Sequence, residues 1–262
     1  MERKRILVTG AGSGFGREVA LRLAAHGHDV TAGVQITPQI TELAREAAAR
    51  GVELRVEKLD VTSARDRAYA AQREVDVLFN NAGDAEAGAI SEIPVEIVRD
   101  LFDTNVFGPL ALTQDIVRGM VGRRRGKIVF VSSIAGLITG PYTGAYCASK
   151  HALEAVAEAM HHELAVAGIQ VSVINPGPYR TGFNDRMMET PRRWYDPRRH
   201  ATAPDSLRFP FDQFDPEEMI ARMVEVAERD DGLFRNLLPA GMASFVREDQ
   251  AAAWTRRQNG AR

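Results

Sequence analysis

Ile6-Leu7-Val8-Thr9-Gly10-Ala11-Gly12-Ser13-Gly14-Phe15-Gly16 is the stretch on which the fold turns. Its first four residues read as a short buried strand, and behind it Val19, Ala20, Leu23 and Ala24 recur at helical spacing until His26 and Gly27 close the segment. A strand that runs through a glycine-rich turn into a helix brings main-chain N–H groups to the helix N-terminus, where they can approach a pyrophosphate. The spacing of Gly10, Gly14 and Gly16, with Ser13 and Phe15 between them, fits that use. A tight strand-to-helix turn with no ligand is the plainer alternative, so other residues must decide.

Working outward, apolar strand-like runs alternate with amphipathic helical ones. Strands are expected at residues 29–34, 52–59, 75–79, 128–131 and 171–174, and helices at 38–50, 95–122 and 144–167. This order predicts an α/β fold with a doubly wound parallel sheet, a Rossmann-type three-layer α/β/α arrangement forming a single domain over residues 1–262. Past Gly177 the periodicity lapses. Residues 182–216 hold Pro191, Pro197, Pro204, Pro210 and Pro216 among arginines and aromatics, and read as a long excursion over the sheet. A helix at 217–228, an apolar segment at 234–239 and a terminal helix at 251–257 follow.

The composition narrows the function classes. The 262 residues are 45% hydrophobic and 26% charged, ordinary globular values, and the formal net charge of -2 gives no footprint for nucleic acid or an anionic membrane. One cysteine, Cys147, cannot build a disulfide framework or a thiolate metal site. No leader-like apolar run follows the charged N-terminus, and no stretch approaches a membrane span, so a cytoplasmic protein acting on a small molecule is expected.

The chemistry is concentrated in Tyr146-Cys147-Ala148-Ser149-Lys150, inside an expected helix. Residues four apart share a helical face, and an ammonium near a phenol favours the phenolate, so Tyr146 is a candidate general acid/base. A surface tyrosine beside a lysine is the alternative. Ser132-Ser133 closes the fifth strand and Asn80-Asn81-Ala82-Gly83 the fourth, at the carboxyl ends of strands where open α/β sheets bind ligands. Either could also be ordinary turn chemistry.

Taken together, these residues resemble the short-chain dehydrogenase/reductase family from about Arg5 to Thr181, in the family's order. The motifs are TGxxxGxG at Thr9 to Gly16, Asp60 after the third strand, NNAG at Asn80 to Gly83, Asn105, Ser133, Tyr146 with Lys150, and Pro176-Gly177 followed by Thr181. The resemblance implies a division of labour among Asn105, Ser133, Tyr146 and Lys150. Tyr146 exchanges a proton with the substrate oxygen, Lys150 binds the nicotinamide ribose and lowers the phenol, Ser133 orients the substrate oxygen, and Asn105 holds a water behind Lys150. It also implies that the turn of Gly10, Ser13, Gly14, Phe15 and Gly16 holds the dinucleotide. Asp60 and Val61 contact the adenine, Asn81, Ala82 and Gly83 lie along the adenosine ribose, and Pro176, Gly177 and Thr181 hold the nicotinamide end. A homodimer or homotetramer is implied as well.

The choice between NADP and NAD rests on the end of the second strand. Val34 and Gln35 are neither the acidic residue that suits ribose hydroxyls nor the basic one that suits a 2'-phosphate. Arg17 is a possible source of charge, and NADP is placed ahead of NAD. The aromatics and methionines of 182–216 (Phe183, Met187, Met188, Trp194, Tyr195, Phe209, Phe211 and Phe214) suggest a lid for a substrate with apolar or aromatic bulk. Cys147 reads as a small buried residue, His161-His162 lacks partners at metal spacing, and Arg123-Arg124-Arg125 reads as a helix terminus. An NAD(P)-dependent enzyme acting on a secondary alcohol or ketone is therefore expected, with no metal. The alternative in another class is a catalytically silent dinucleotide-sensing protein on the same fold.

Overall fold

The computed structural model describes residues 2–258, so Met1 and residues 259–262 of the expected domain lie outside the described part. In chain order the elements are β1 (Arg5–Val8), α1 (Gly14–Ala25), β2 (Asp29–Val34), α2 (Thr37–Ala49), β3 (Arg55–Lys58), α3 (Ala64–Ala70), β4 (Val77–Asn80) and α4 (Val95–Phe102). A π-turn (Asp103–Phe107) leads into α5 (Gly108–Arg123), and then come β5 (Gly126–Val131), α6 (Gly144–Ala165), β6 (Ile169–Pro176) and α7 (Phe183–Glu189). Finally α8 (Glu217–Glu228), β7 (Arg235–Leu238) and α9 (Met242–Ala253) complete the described chain. The strands form one sheet in the order β3-β2-β1-β4-β5-β6-β7, every pair parallel.

Strand side chains alternate between faces, and the core divides accordingly. Ile6, Val8, Val77, Phe79, Val129 and Val131 pack with α1, α2 and α8, whereas Leu7, Leu78, Ile128 and Phe130 pack with α3, α5 and α6. Wholly buried side chains such as Phe79, Phe130 and Leu78 contribute about 1.5–3 kcal/mol each. The expected three-layer doubly wound sheet is therefore the fold observed. A pair of lysines closes its underside at the C-terminus of α8. Lys4 Nζ donates to Glu228 O at 2.5 Å, and Lys127 Nζ donates to Val226 O at 2.8 Å and to Arg229 O. Burial pushes the Lys127 ammonium down to about 8.

The structure corrects several element boundaries. The long helix expected at 95–122 runs from Val95 to Arg123 but carries a π-turn within it, and just after that turn Gly108 lies so close to Val61 O that a Cβ there would come within 2.7 Å. Two short helices gave no periodic signal. In α3 only Ala70 is buried, although Ser63 caps it by accepting the Asp66 N–H, and α7 spans only seven residues. The terminal helix lies at 242–253 instead of 251–257, because its buried contact is Val246 and Trp254 beyond it is exposed.

Candidate active site

The turn after β1 meets the turn after β4 at distances only glycine allows. Gly10 has φ +64, and a Cβ there would sit 2.6 Å from Ala82 Cα; one on Gly16 would sit 2.3 Å from Asn81 Nδ2. The gap is stitched by Asn81, whose Nδ2 donates to Thr9 O at 3.0 Å and to Gly10 O at 3.2 Å, and by Thr9 Oγ1, which accepts the N–H groups of Asn81 and Ala82. Beside this junction opens a cleft of about 790 Å³. Gly10, Ser13, Gly14, Phe15, Gln35, Asp60, Val61, Asn81, Ala82, Gly83, Pro176, Gly177 and Thr181 all line it, together with Ser133, Tyr146 and Lys150. Gly16 lies just beneath, buried against Asn81. Asp60 is held by Thr62, whose hydroxyl and N–H both donate to Oδ1.

The adenine end departs from expectation at Arg17. Its guanidinium donates to Gly12 O and to Glu42 at 2.7 Å and lies 3.5 Å from Glu46, so its charge is already matched. Val34 is wholly buried in the core, and the polar side chains lining the cleft there include exposed Gln35 and Ser13 together with Gln39. Gln39 went unnoticed in the sequence. It packs beneath Gly12, where a Cβ would meet it at 2.4 Å, and its Oε1 accepts the Ile36 N–H at the start of α2.

At the other end of the cleft, Tyr146 and Lys150 project from α6 as one buried stripe. Burial pushes the Tyr146 phenol well up, and the Ser133 hydroxyl beside it pulls it part of the way back. Ser133 Oγ accepts the Ala135 N–H at 3.1 Å, which leaves its own O–H free to donate. Lys150 Nζ donates to Val131 O at 3.0 Å and stands 5.8 Å from the Tyr146 ring centre; burial pushes it down to about 8. Desolvation, and not the expected influence of Lys150, sets the direction of the phenol here. Asn105 is wholly buried in the π-turn, accepting the Asp84 N–H at 2.8 Å and donating to Asp84 O and Ser149 Oγ, both at 2.9 Å.

A second cavity of about 780 Å³ opens on the far side of Tyr146. Ile134, Ile138, Pro141, Met187, Phe209, Phe211 and Phe245 give it an apolar wall, with Asp249 and Arg256 also in the lining. The two cavities share Ser133, Tyr146, Gly177, Asn184 and Met187. The expected lid aromatics thus separate. Met187, Phe209 and Phe211 line the second cavity, and Phe183 lines the first and packs on Tyr146 with ring centres 5.8 Å apart. Trp194 instead seats against Gly88, Tyr195 packs on His200, Phe214 pairs with Tyr179, and Met188 packs against the apolar cluster that includes Tyr146 without lining either space. The contribution of α9 through Phe245 was not foreseen.

Three residue groups set aside in the sequence have structural partners. Cys147 is 3% exposed, beside Thr143 Oγ1 at 3.4 Å, and the His161 ring packs on Phe234. Arg123, Arg124 and Arg125 bind Val75 O, Val166 O and Glu2 at and beyond the end of α5. No group of three or more His, Cys, Asp or Glu among the described residues is placed to hold a metal ion, and no helix among them is long and apolar enough to cross a membrane.

Comparison with known proteins gives a consistent result. The family described as short chain dehydrogenase matches residues 4–192. An uncharacterized oxidoreductase of Bacillus subtilis, YusZ, is 39% identical over 191 residues, 70% of this chain and 68% of that one. Human retinol dehydrogenase 8 is 36% identical over 195 residues, 71% of this chain and 62% of that one. Among solved structures, a single-residue variant of actinorhodin polyketide ketoreductase with NADPH superposes with a TM-score of 0.76 at 28% identity, covering 92% of this chain and 97% of that one.

Proposed function

Because the chain belongs to the short-chain dehydrogenase/reductase family, we propose that this oxidoreductase interconverts a secondary alcohol and its ketone with a nicotinamide dinucleotide, Tyr146 acting as the acid/base. One observation carries the reading. Ser133 and Tyr146 stand where the cleft of about 790 Å³, lined by polar and apolar groups alike, meets an apolar cavity of about 780 Å³, so a bound dinucleotide and an apolar substrate would both reach the same hydroxyls.

The cleft fits the cofactor chemically, since main-chain groups of the glycine turn line it where any side chain would close the gap to Asn81 and Ala82. When bound, the dinucleotide supplies or accepts the hydride. In this proposal Ser133 donates its O–H to the substrate oxygen, Tyr146 gives or takes the proton at that oxygen, and Lys150 holds the nicotinamide ribose. Its ammonium beside the phenolate would offset part of the burial that holds Tyr146 up. Asn105 keeps the Asp84 loop against α6 and would hold the water behind Lys150. Residues 182–216 would cover the substrate.

NADP is favoured over NAD on the absence of a carboxylate at the end of β2, where a 2'-phosphate would meet Ser13 and Gln35 instead. With Arg17 matched by Glu42, the preference is expected to be modest. Exposed Val95 and Phe107, flanking the Asn105 turn, are where the expected homodimer or homotetramer would form, and sedimentation checks it. Turnover is tested with a panel of secondary alcohols and ketones. Tyr146→Phe should abolish it while NADPH and NADH fluorescence titrations still report binding. Binding without turnover of any panel member by the unaltered protein would refute the enzymatic reading and favour the dinucleotide sensor.

A further inference from the structure

Tyr146, Lys150 and Glu154 follow one another at four-residue intervals on α6, and the third lines neither cavity. Glu154 is 7% exposed, and both its oxygens are engaged. Oε1 accepts Asn175 Nδ2 at 2.5 Å and Oε2 accepts Arg235 Nη1 at 2.6 Å, while the same Arg235 nitrogen also reaches Asn175 Oδ1 at 3.2 Å. Asn175, wholly buried near the end of β6, spends its other amide hydrogen on Ser133 O at 3.0 Å. The Glu154 stem is used as well. A Cβ on Gly136 would lie 2.9 Å from Glu154 Cγ, 2.7 Å from Ser132 Oγ and 3.0 Å from Lys150 O, so the turn after Ser133 is seated directly on this side chain.

An apolar side chain would fill the same space without the desolvation cost of a buried ion pair, so the feature to explain is the charge. Near Lys150 stand Tyr146 of its own helix and, across Gly83, neutral Asn105 from the π-turn, which in turn binds the N–H and C=O of Asp84. The charge that favours the Lys150 ammonium against burial is that of Glu154. We propose that Glu154 is a positioning residue of the reaction centre: clamped by Arg235, it fixes Ser133 through Asn175 and places a buried negative charge one helical turn beyond Lys150. The role assigned to Ser133 and Lys150 rests on the proposed function, but the arrangement of charge does not.

The test uses the full chain carrying lysine labelled with carbon-13 at Cε and titrated by NMR, with Lys150 and Lys127 assigned from Lys150→Arg and Lys127→Arg. Glu154→Gln keeps the shape and the Asn175 contact but removes the charge. The Lys150 midpoint should fall by about one pH unit, a roughly tenfold loss of proton affinity, while that of Lys127 stays in place. Arg235→Met removes the opposing guanidinium and should move Lys150 the other way, which keeps the question decidable if Glu154→Gln does not fold. An unmoved Lys150, or equal movement of Lys127 from general loosening, overturns the proposal. Failure of the unaltered protein to turn over any alcohol would sink the acid/base reading, and the lysine titration would still decide this one.

Discussion

Replacing Gly16 by alanine isolates a single close approach from backbone strain, because Gly16 lies in the first turn of α1 with no positive φ. The new Cβ would lie 2.3 Å from Asn81 Nδ2 and 2.6 Å from Gly10 O. Overpacking of this kind costs about 1–3 kcal/mol. Pushing Asn81 aside also breaks its bonds to Thr9 O and Gly10 O, each worth about 0.5–1.5 kcal/mol. A loss of roughly 4 kcal/mol is expected, large against the stability of about 5–15 kcal/mol typical of a domain. Urea unfolding of Gly16→Ala, Asn81→Ala and the double variant measures it as a cycle. If Asn81 is the obstacle, the alanine at 16 should cost at least about 1 kcal/mol less once the amide is gone. Strict additivity, or a Gly16→Ala protein as stable as the parent, would refute the argument that the glycine turn exists to let β1 and β4 close on each other.

Three further outcomes are expected. Lys127 and Lys150 are held down to about 8 from 10.5, so the unfolded chain binds more protons between those values. Their contribution is therefore complete above 10.5 and lost as pH falls through 8, and unfolding free energy should climb from about pH 8 towards 10. Near pH 10 the raised phenols of Tyr146 and Tyr179 begin to act in the opposite sense; a Lys127→Met/Lys150→Met protein should show a flatter climb. Arg193→Ala would leave the buried Glu86 carboxylate without its half-exposed cation, costing about 1–2 kcal/mol and speeding protease cleavage around 186–202 if that pair latches the segment. Ile138→Trp should narrow the apolar cavity and raise KM for bulky ketones severalfold while sparing small ones, and an equal effect on both would place the substrate elsewhere.

Part of the candidate site was legible from local pattern, and the rest, Asn105, Asp60 and Thr181 among it, only through the family resemblance. Strand ends carry Ser133 and the Asn81 turn, and helical spacing puts Tyr146 over Lys150. The segment expected to be a lid was read only as composition: the aromatics of 182–216 looked alike, yet Phe211 lines the cavity whereas Trp194 anchors on Gly88 across about a hundred residues of chain. Glu154 read as one more polar residue on a long helix, and nothing local announces that Asn175 and Arg235 arrive to bury it. Arg17 looked free for the same reason, since Glu42 approaches it only when α2 packs beside α1.

By itself, then, the sequence determined the alternation of the long strands and helices, the glycine turn and the four-residue stripe on α6, because each is set by covalent neighbours and by the period of burial. Only the tertiary structure decided that Asn175 and Arg235 clamp Glu154, which aromatics face the apolar cavity and that α9 lines it. Those are contacts between segments far apart in the chain, and burial, not spacing, gives them their energy.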